Sequence, residues 1–397
     1  FPLAAARDAL AVSATYVDGE STGMSGAGVA GSPQPYGGHA GSLVADAQLF
    51  DKLLRLRGEA AHSSYDFDGV GVGLEPQSGH AYSGLANYTP WHSLNVLGQP
   101  MVWNVGAQKK VLSTFFQSPA TPGAISDRDM GQVFSGLNWY GLSAQAAAAK
   151  EHDNVDELAL VPRTRTTQHS FSLNWVPVRA GAQASAMPWY GTPSLSASYV
   201  TVSKELTDTA GSFLLSVGPL HDTSNLMLGA QFQHATWNWG ATHTRIEDKD
   251  FAGYTPDTVT TADRLQAGVL VSKLNLGASV EHDKTEDLTN VARAQAMIGG
   301  ATLAYPFTER VSTTLTYNVR HAWSDVPASD QITSDTTLGL NWMVVAPSGQ
   351  RPGMSLGLDG SYHSCRDKLA VSSSFGAVCV NSYQAFVRMS VSWMPSF

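Results

Sequence analysis

Histidines flanked by carboxylates are the first residues in this chain whose types could do chemistry. Twelve histidines stand among 397 residues, and three carry acidic neighbours: His152–Asp153, His221–Asp222 and Glu281–His282–Asp283. An imidazole beside a carboxylate can act as a general base. Such a base needs a nucleophile or a metal-bound water to act on. The sequence has no GxSxG, no HExxH and no glycine-rich phosphate loop running into a helix. Asp and His are also ordinary loop residues. An enzyme is not expected, and no cofactor and no metal site is assigned. The acidic runs 151–157 and 283–287 offer the hard oxygens that suit calcium, but a solvated surface explains them more simply.

A second set of charges recurs at alternate positions. Arg55, Arg57 and Glu59 do so within KLLRLRGEAA. Glu281, Arg320, Asp359 and Arg388 each sit in a segment of similar pattern. If the opposite face is apolar and meets lipid, these seven residues line a lumen. Two readings stay open for them. They could form a mixed-charge constriction that filters polar solutes. They could instead brace the wall internally, since Asp359 and Arg388 fall on neighbouring predicted strands and could pair. With both signs present, strong selectivity for anions or cations is not expected.

The elements that would position these charges are long strands. In Lys273–Glu281, Leu274, Leu276, Ala278 and Val280 alternate with Asn275, Gly277 and Ser279. In Arg310–Arg320, Val311, Leu315, Tyr317 and Val319 share one face and Ser312, Thr314, Thr316 and Asn318 the other. A period of two marks a strand with one apolar and one polar face. These runs reach about 10–16 residues, whereas ordinary strands average ~5–6 and a tilted bilayer-crossing strand needs ~9–11.

Eighteen such segments are expected, near 9–19, 39–51, 52–67, 79–90, 101–113, 129–140, 142–153, 166–177, 194–206, 225–236, 237–248, 261–272, 273–287, 292–307, 309–325, 333–346, 353–365 and 381–397. Sixteen or twenty also fit, because Pro177–Pro193 is long for a tight turn and FLLSVGPL (213–220) is too apolar for a plain loop. Tight connections fall at Trp237–Asn238, Ser272–Lys273, Phe307–Glu309 and 347–352. Long polar ones include 19–38, 68–78, 114–128, 154–165 and 366–380. The 206–224 segment is the expected inward-folded loop.

Composition agrees with a two-faced sheet. Only 14% of residues are charged, against a usual ~25%, yet hydrophobic residues reach only 43%. Uninterrupted apolar runs stop at about five residues, as in Trp342–Ala346, far below the ~20 of a membrane helix. A net charge of −9 with no basic stripe excludes nucleic acid as a partner. Cys365 and Cys379 could close one surface loop as a disulfide, which requires an oxidising compartment, or remain two thiols. With Phe1 first and no apolar targeting core, the chain reads as a mature form that has lost a signal peptide. Trp139, Tyr140, Trp175, Trp189, Tyr190, Trp237, Trp239, Tyr305, Phe307, Trp342 and Trp393 lie near strand ends, where interfacial girdles place them.

The last segment, SYQAFVRMSVSWMPSF, alternates to its end, with Val391, Trp393 and the terminal Phe397 as its signature residues. It resembles the insertion signal of Gram-negative outer-membrane β-barrel proteins, in which the assembly machinery reads the final strand by edge pairing. Pro395 departs from the usual pattern, because proline cannot donate a ladder hydrogen bond. The stretch LFDKLLRLRGEAAHSSYDFD (49–68) also looks like barrels of exopolysaccharide-associated outer-membrane proteins, though it brings no functional residues with it. The resemblance implies a single all-β, antiparallel transmembrane barrel over 1–397 in the outer membrane, porin-like, with short periplasmic turns and long outer loops. Its implied partners are outer-membrane lipid and lipopolysaccharide, the barrel assembly machinery, and further copies or a complex partner. The expected function is passage of polar solutes or a polymer. The alternatives are a scaffold barrel plugged within a secretion, polysaccharide-export or surface-assembly complex, and a surface enzyme or adhesin.

Overall fold

Alternating side chains leave every backbone N–H and C=O of a segment to be paired with a neighbour. In this chain nearly every strand finds that neighbour in the next one along the sequence. The computed structural model describes residues 2–4, 9–21, 36–66, 75–117, 126–178, 189–212, 216–325, 328–346, 353–368 and 379–392. They form one 19-stranded antiparallel meander. The first ten strands are β1 (Pro2–Ala4), β2 (Ala9–Ser21), β3 (Tyr36–Leu49), β4 (Leu54–Asp66), β5 (Gln77–Val96), β6 (Gln99–Leu112), β7 (Arg128–Trp139), β8 (Leu142–His152), β9 (Arg163–Trp175) and β10 (Thr192–Asp208). The others are β11 (Gly218–Gln233), β12 (Trp237–Asp250), β13 (Thr258–Val271), β14 (Leu274–Asp287), β15 (Ala292–Pro306), β16 (Val311–Ser324), β17 (Ser329–Val345), β18 (Gly353–Asp367) and β19 (Ser382–Ser392).

The all-β antiparallel class and the eighteen long segments are as expected. Strands β2–β19 match those segments one for one. The addition is β1, which pairs its three residues with Ala9–Ala11 of β2. Two local expectations are corrected. The connection between β11 and β12 is 234–236, closed by His234 N–H donating to Trp237 O at 2.8 Å, so Trp237 and Asn238 belong to a strand. The 206–224 segment is not an inward-folded loop in its described parts, because 206–208 extend β10 and 218–224 open β11. Residues 213–215 lie outside the described set. The reason is visible in His221–Asn225: here both faces are polar, so the alternation disappears while the backbone ladder continues.

Two compact units divide the chain. The first is Phe1–Leu173, Tyr199–Thr223 and Asp250–Gly253; the second is Asn174–Ser198, Ser224–Lys249 and Tyr254–Phe397. In the first unit the tight hairpins are Leu97–Gly98 (φ 53° and 77°) and Tyr140–Gly141 (φ 46° and 77°). Two successive positive φ angles are what a two-residue hairpin matched to strand twist requires, and glycine adopts the second without strain. β5 departs from regular register between Tyr88 and Leu94. Pro90 sits there and has no N–H for the ladder.

In the second unit the register is continuous from β12 to β19 apart from one shift at Met343/Val345. Directly paired residues share a face. One face is a quilt of Leu276–Leu303–Leu315–Leu338 and its neighbours. On β16 it runs from Val311 to Val319, roughly 27 Å along the strand, comparable with the ~25 Å apolar band of outer-membrane barrels. These side chains are not packed away: Val387, Met389 and Val391 are 73%, 66% and 60% exposed. A soluble protein rarely leaves so large an apolar surface in water. Among the described residues no helix is long and apolar enough to cross a membrane.

Candidate functional site

The opposite face carries the charges, and cross-strand register places them. In the first unit Arg57 stands opposite Asp46 and Leu85, and Glu59 opposite Val44 and Ser83. Parity therefore puts Arg55, Arg57 and Glu59 on one face with Asp46, Gln108 and Lys110. Arg55 Nε donates to Asp46 Oδ1 at 3.1 Å. On the same face Arg128 Nη1 lies 3.1 Å from Glu151 Oε1.

In the second unit Glu281, Arg320, Asp359 and Arg388 share the polar face by the same register. Arg264 Nε reaches Glu281 Oε2 at 3.9 Å, Arg388 Nη2 reaches Asp359 Oδ2 at 3.7 Å, and His363 Nδ1 lies 2.6 Å from Asp335 Oδ1. Arg320 is exposed between Ile298 and Thr333. The carpet around these groups is small and polar: Thr302, Thr316 and Thr337 form one row. Asp46, Lys110, Arg264 and Asp335 escaped the sequence reading, although each sits in the same alternation. Because the Asp359–Arg388 pair is exposed and longer than an ideal ion pair, it contributes little to stability. Arg388→Gln should lower the unfolding free energy by under ~1 kcal/mol in a denaturant titration, while shifting the reversal potential of any current toward cations.

On the apolar side of β2–β8 and β12–β19, charge among the described residues gathers at the long-loop ends. In the first unit Lys109 bonds Asp129, with His152 Nε2 3.7 Å away. In the second, His243 pairs with Asp263 at 2.7 Å and His321 with Asp330 at 2.7 Å. Aromatic residues gather at the short-turn ends instead. Trp139 and Tyr140 adjoin the Tyr140–Gly141 turn, and Phe232 stacks on Trp239 at 4.3 Å beside 234–236. Tyr305 packs against Phe307 at the β15–β16 turn.

Among the described residues, the segment 113–117 leaves the wall and lies on the polar face. Ser113 Oγ accepts from His80 N–H at 2.8 Å, and Gln117 N–H donates to Ser63 Oγ at 3.1 Å. Ser63 and Ser113 are fully buried by this crossing. A Cβ on Gly79 would stand 2.3 Å from Phe116 N and Cα, so only glycine at 79 lets the segment lie flat. Asp127 then ties this segment to the loop after β8. Its Oδ1 accepts from Thr114 Oγ1 at 2.9 Å and Val155 N–H at 2.8 Å, and its Oδ2 from Asn154 N–H at 3.0 Å. Asn154 is buried and fastens its own loop by bonding Leu158 O and Val161 O. Nothing local in the sequence signals this latch, because its partners stand 13, 27 and 28 residues from Asp127.

Cys365 and Cys379 are joined as a disulfide, and Asn381 Oδ1 accepts from Cys365 N–H at 2.9 Å. Val391 lies on the apolar face opposite Met354. Trp393 and Phe397 lie outside the described residues. Among the described residues no three His, Cys, Asp or Glu side chains converge as metal ligands.

No protein-family model matches the chain, and no curated protein matches it. Solved structures do. The chain is similar to OmpT, an outer membrane protein of Vibrio cholerae, at 8% identity over 99% of both chains, with a TM-score of 0.38. It is similar to the FrpB iron transporter from Neisseria meningitidis at 10% identity over 99% of this chain and 71% of that one, with a TM-score of 0.44. An anion-selective porin from Comamonas acidovorans matches at 10% identity over 96% of this chain and 99% of that one, with a TM-score of 0.36.

Proposed function

We propose that the meander closes into a barrel in the outer membrane of a Gram-negative bacterium and passes polar solutes through the space its polar face lines. The supporting observation is the separation of faces. Leu276, Leu303, Leu315 and Leu338 form a continuous row on one side, and Thr302, Thr316 and Thr337 on the other. An apolar sheet face left uncovered by protein needs lipid, and a sheet in lipid must have no free edge. A barrel of about 18 strands is wide enough for an aqueous channel unless loops fill it. Short-turn aromatics and long-loop charges orient it with the tight turns in the periplasm. The solute class is small and polar, because the face carries paired charges of both signs among hydroxyls and amides. Catalysis has no part in this reading. Lipid, lipopolysaccharide and the barrel assembly machinery are its natural partners.

Protein folded into planar bilayers should give stable single-channel steps. Correctly folded, heat-modifiable protein that never conducts would overturn the pore. A plugged scaffold barrel is the second reading, favoured by the 113–117 segment on the polar face and its Asp127 latch. It predicts silence from the intact protein and current once that segment is deleted.

A further inference from the structure

Beside the 113–117 segment the polar face of the first unit is hollow. The cavity measures about 330 Å³, within the ~300–1,000 Å³ typical of small-molecule sites. It exists because its floor is built of short side chains, Ser42, Ala61, Ala81 and Ser83, while Phe116 and Leu112 stand up as an apolar wall. Two charges line it. Glu59 is directly opposite Ser83, and Ser83 directly opposite Lys110. The carboxylate and the ammonium thus arise two strand spacings apart, roughly 10 Å between backbones. Neither has a hydrogen-bond or ion-pair partner among the described residues, whereas Arg55 and Arg128 on the same face are both paired.

A cation and an anion that flank one cavity two strands apart without pairing suit a ligand that brings one of each. We propose that this hollow binds a small zwitterion with an apolar side chain, a free amino acid or a dipeptide. Its carboxylate meets Lys110, its ammonium meets Glu59, the Ser83 hydroxyl lies between them, and its hydrocarbon rests on Phe116 and Leu112. A neutral sugar would leave both charges unanswered. A simple anion or cation would answer one and be repelled by the other. The inference rests on the pore reading and names the substrate class for it.

The test is calorimetric titration of the detergent-folded protein with L-leucine. Three comparison probes are 4-methylpentanoate, which lacks the ammonium, isopentylamine, which lacks the carboxylate, and glucose. Saturable leucine binding is expected, at least tenfold tighter than any of the three. Glu59→Gln and Lys110→Gln should each weaken leucine at least tenfold and leave glucose unchanged. The probe comparison on the native protein stands even if a variant fails to fold. Leucine that binds no better than glucose, or as tightly to both variants as to the native protein, overturns the site. Single-channel recording separates the two readings. Current without saturable leucine binding removes the site and keeps the pore. Charge-dependent leucine binding in a barrel that never conducts keeps the site and removes the pore.

Discussion

Leu315→Arg should lower the unfolding free energy in lipid vesicles by about 2–4 kcal/mol, the cost of an arginine near the midplane of a barrel's lipid face. Thr316→Arg, one residue along, should change it by no more than ~0.5 kcal/mol. The contrast follows from register. Leu315 stands between Leu303 and Leu338, the centre of the apolar quilt on β15–β17. Thr316 stands between Thr302 and Thr337, where water solvates a guanidinium. Neighbouring positions in a strand point to opposite faces, so no local property other than facing separates the two variants. Urea titration of protein refolded into vesicles measures both. Equal losses, or a larger loss for Thr316→Arg, would show that this face does not meet lipid. Thr316→Arg should also alter conductance, which Leu315→Arg leaves alone when folded.

Asp127→Ala should release the latch that holds 113–117 on the polar face. The carboxylate accepts from Thr114 Oγ1, Val155 N–H and Asn154 N–H. Alanine leaves these donors unanswered, and buried Asn154 has little access to replacement water. An unsatisfied buried donor costs ~1–3 kcal/mol. Part of that is recovered when the loop opens, so about 2–3 kcal/mol of local stability should be lost. Amide exchange at Asn154 and Val155 should then quicken roughly thirty- to hundred-and-fifty-fold, without comparable change in the strands. Glu157→Gln is the control. Its carboxylate meets Arg163 from a largely exposed position, so exchange there should barely move. If the segment narrows a pore, Asp127→Ala should also turn steady current noisy. Unchanged exchange in the variant would show that Ser63, His80 and Asp156 hold the segment without Asp127.

The seven charged residues singled out by pattern, Arg55, Arg57, Glu59, Glu281, Arg320, Asp359 and Arg388, all fall on the polar face of their own unit. The order of the strands already suggests the Asp359–Arg388 pair, which the structure forms, but not the other partners. Arg55 meets Asp46 and Glu281 meets Arg264, partners fixed by the stagger between strands. The apolar FLLSVGPL points to 206–224 as the inward segment. The inward segment lies at 113–117, where the cue is Gly79, thirty-seven positions before Phe116 along the chain and meaningless until the two backbones meet.

By itself, then, the sequence determined the strands and their two faces. Alternation is a local property, and a sheet whose neighbours are consecutive in the chain needs no distant information to choose its partners. The tertiary structure alone decided the inward segment, the Asp127 latch and the hollow between Glu59 and Lys110. Each depends on backbones far apart in sequence approaching within hydrogen-bond or van der Waals distance, and on side chains small enough to allow it. No periodicity in the chain encodes that closeness.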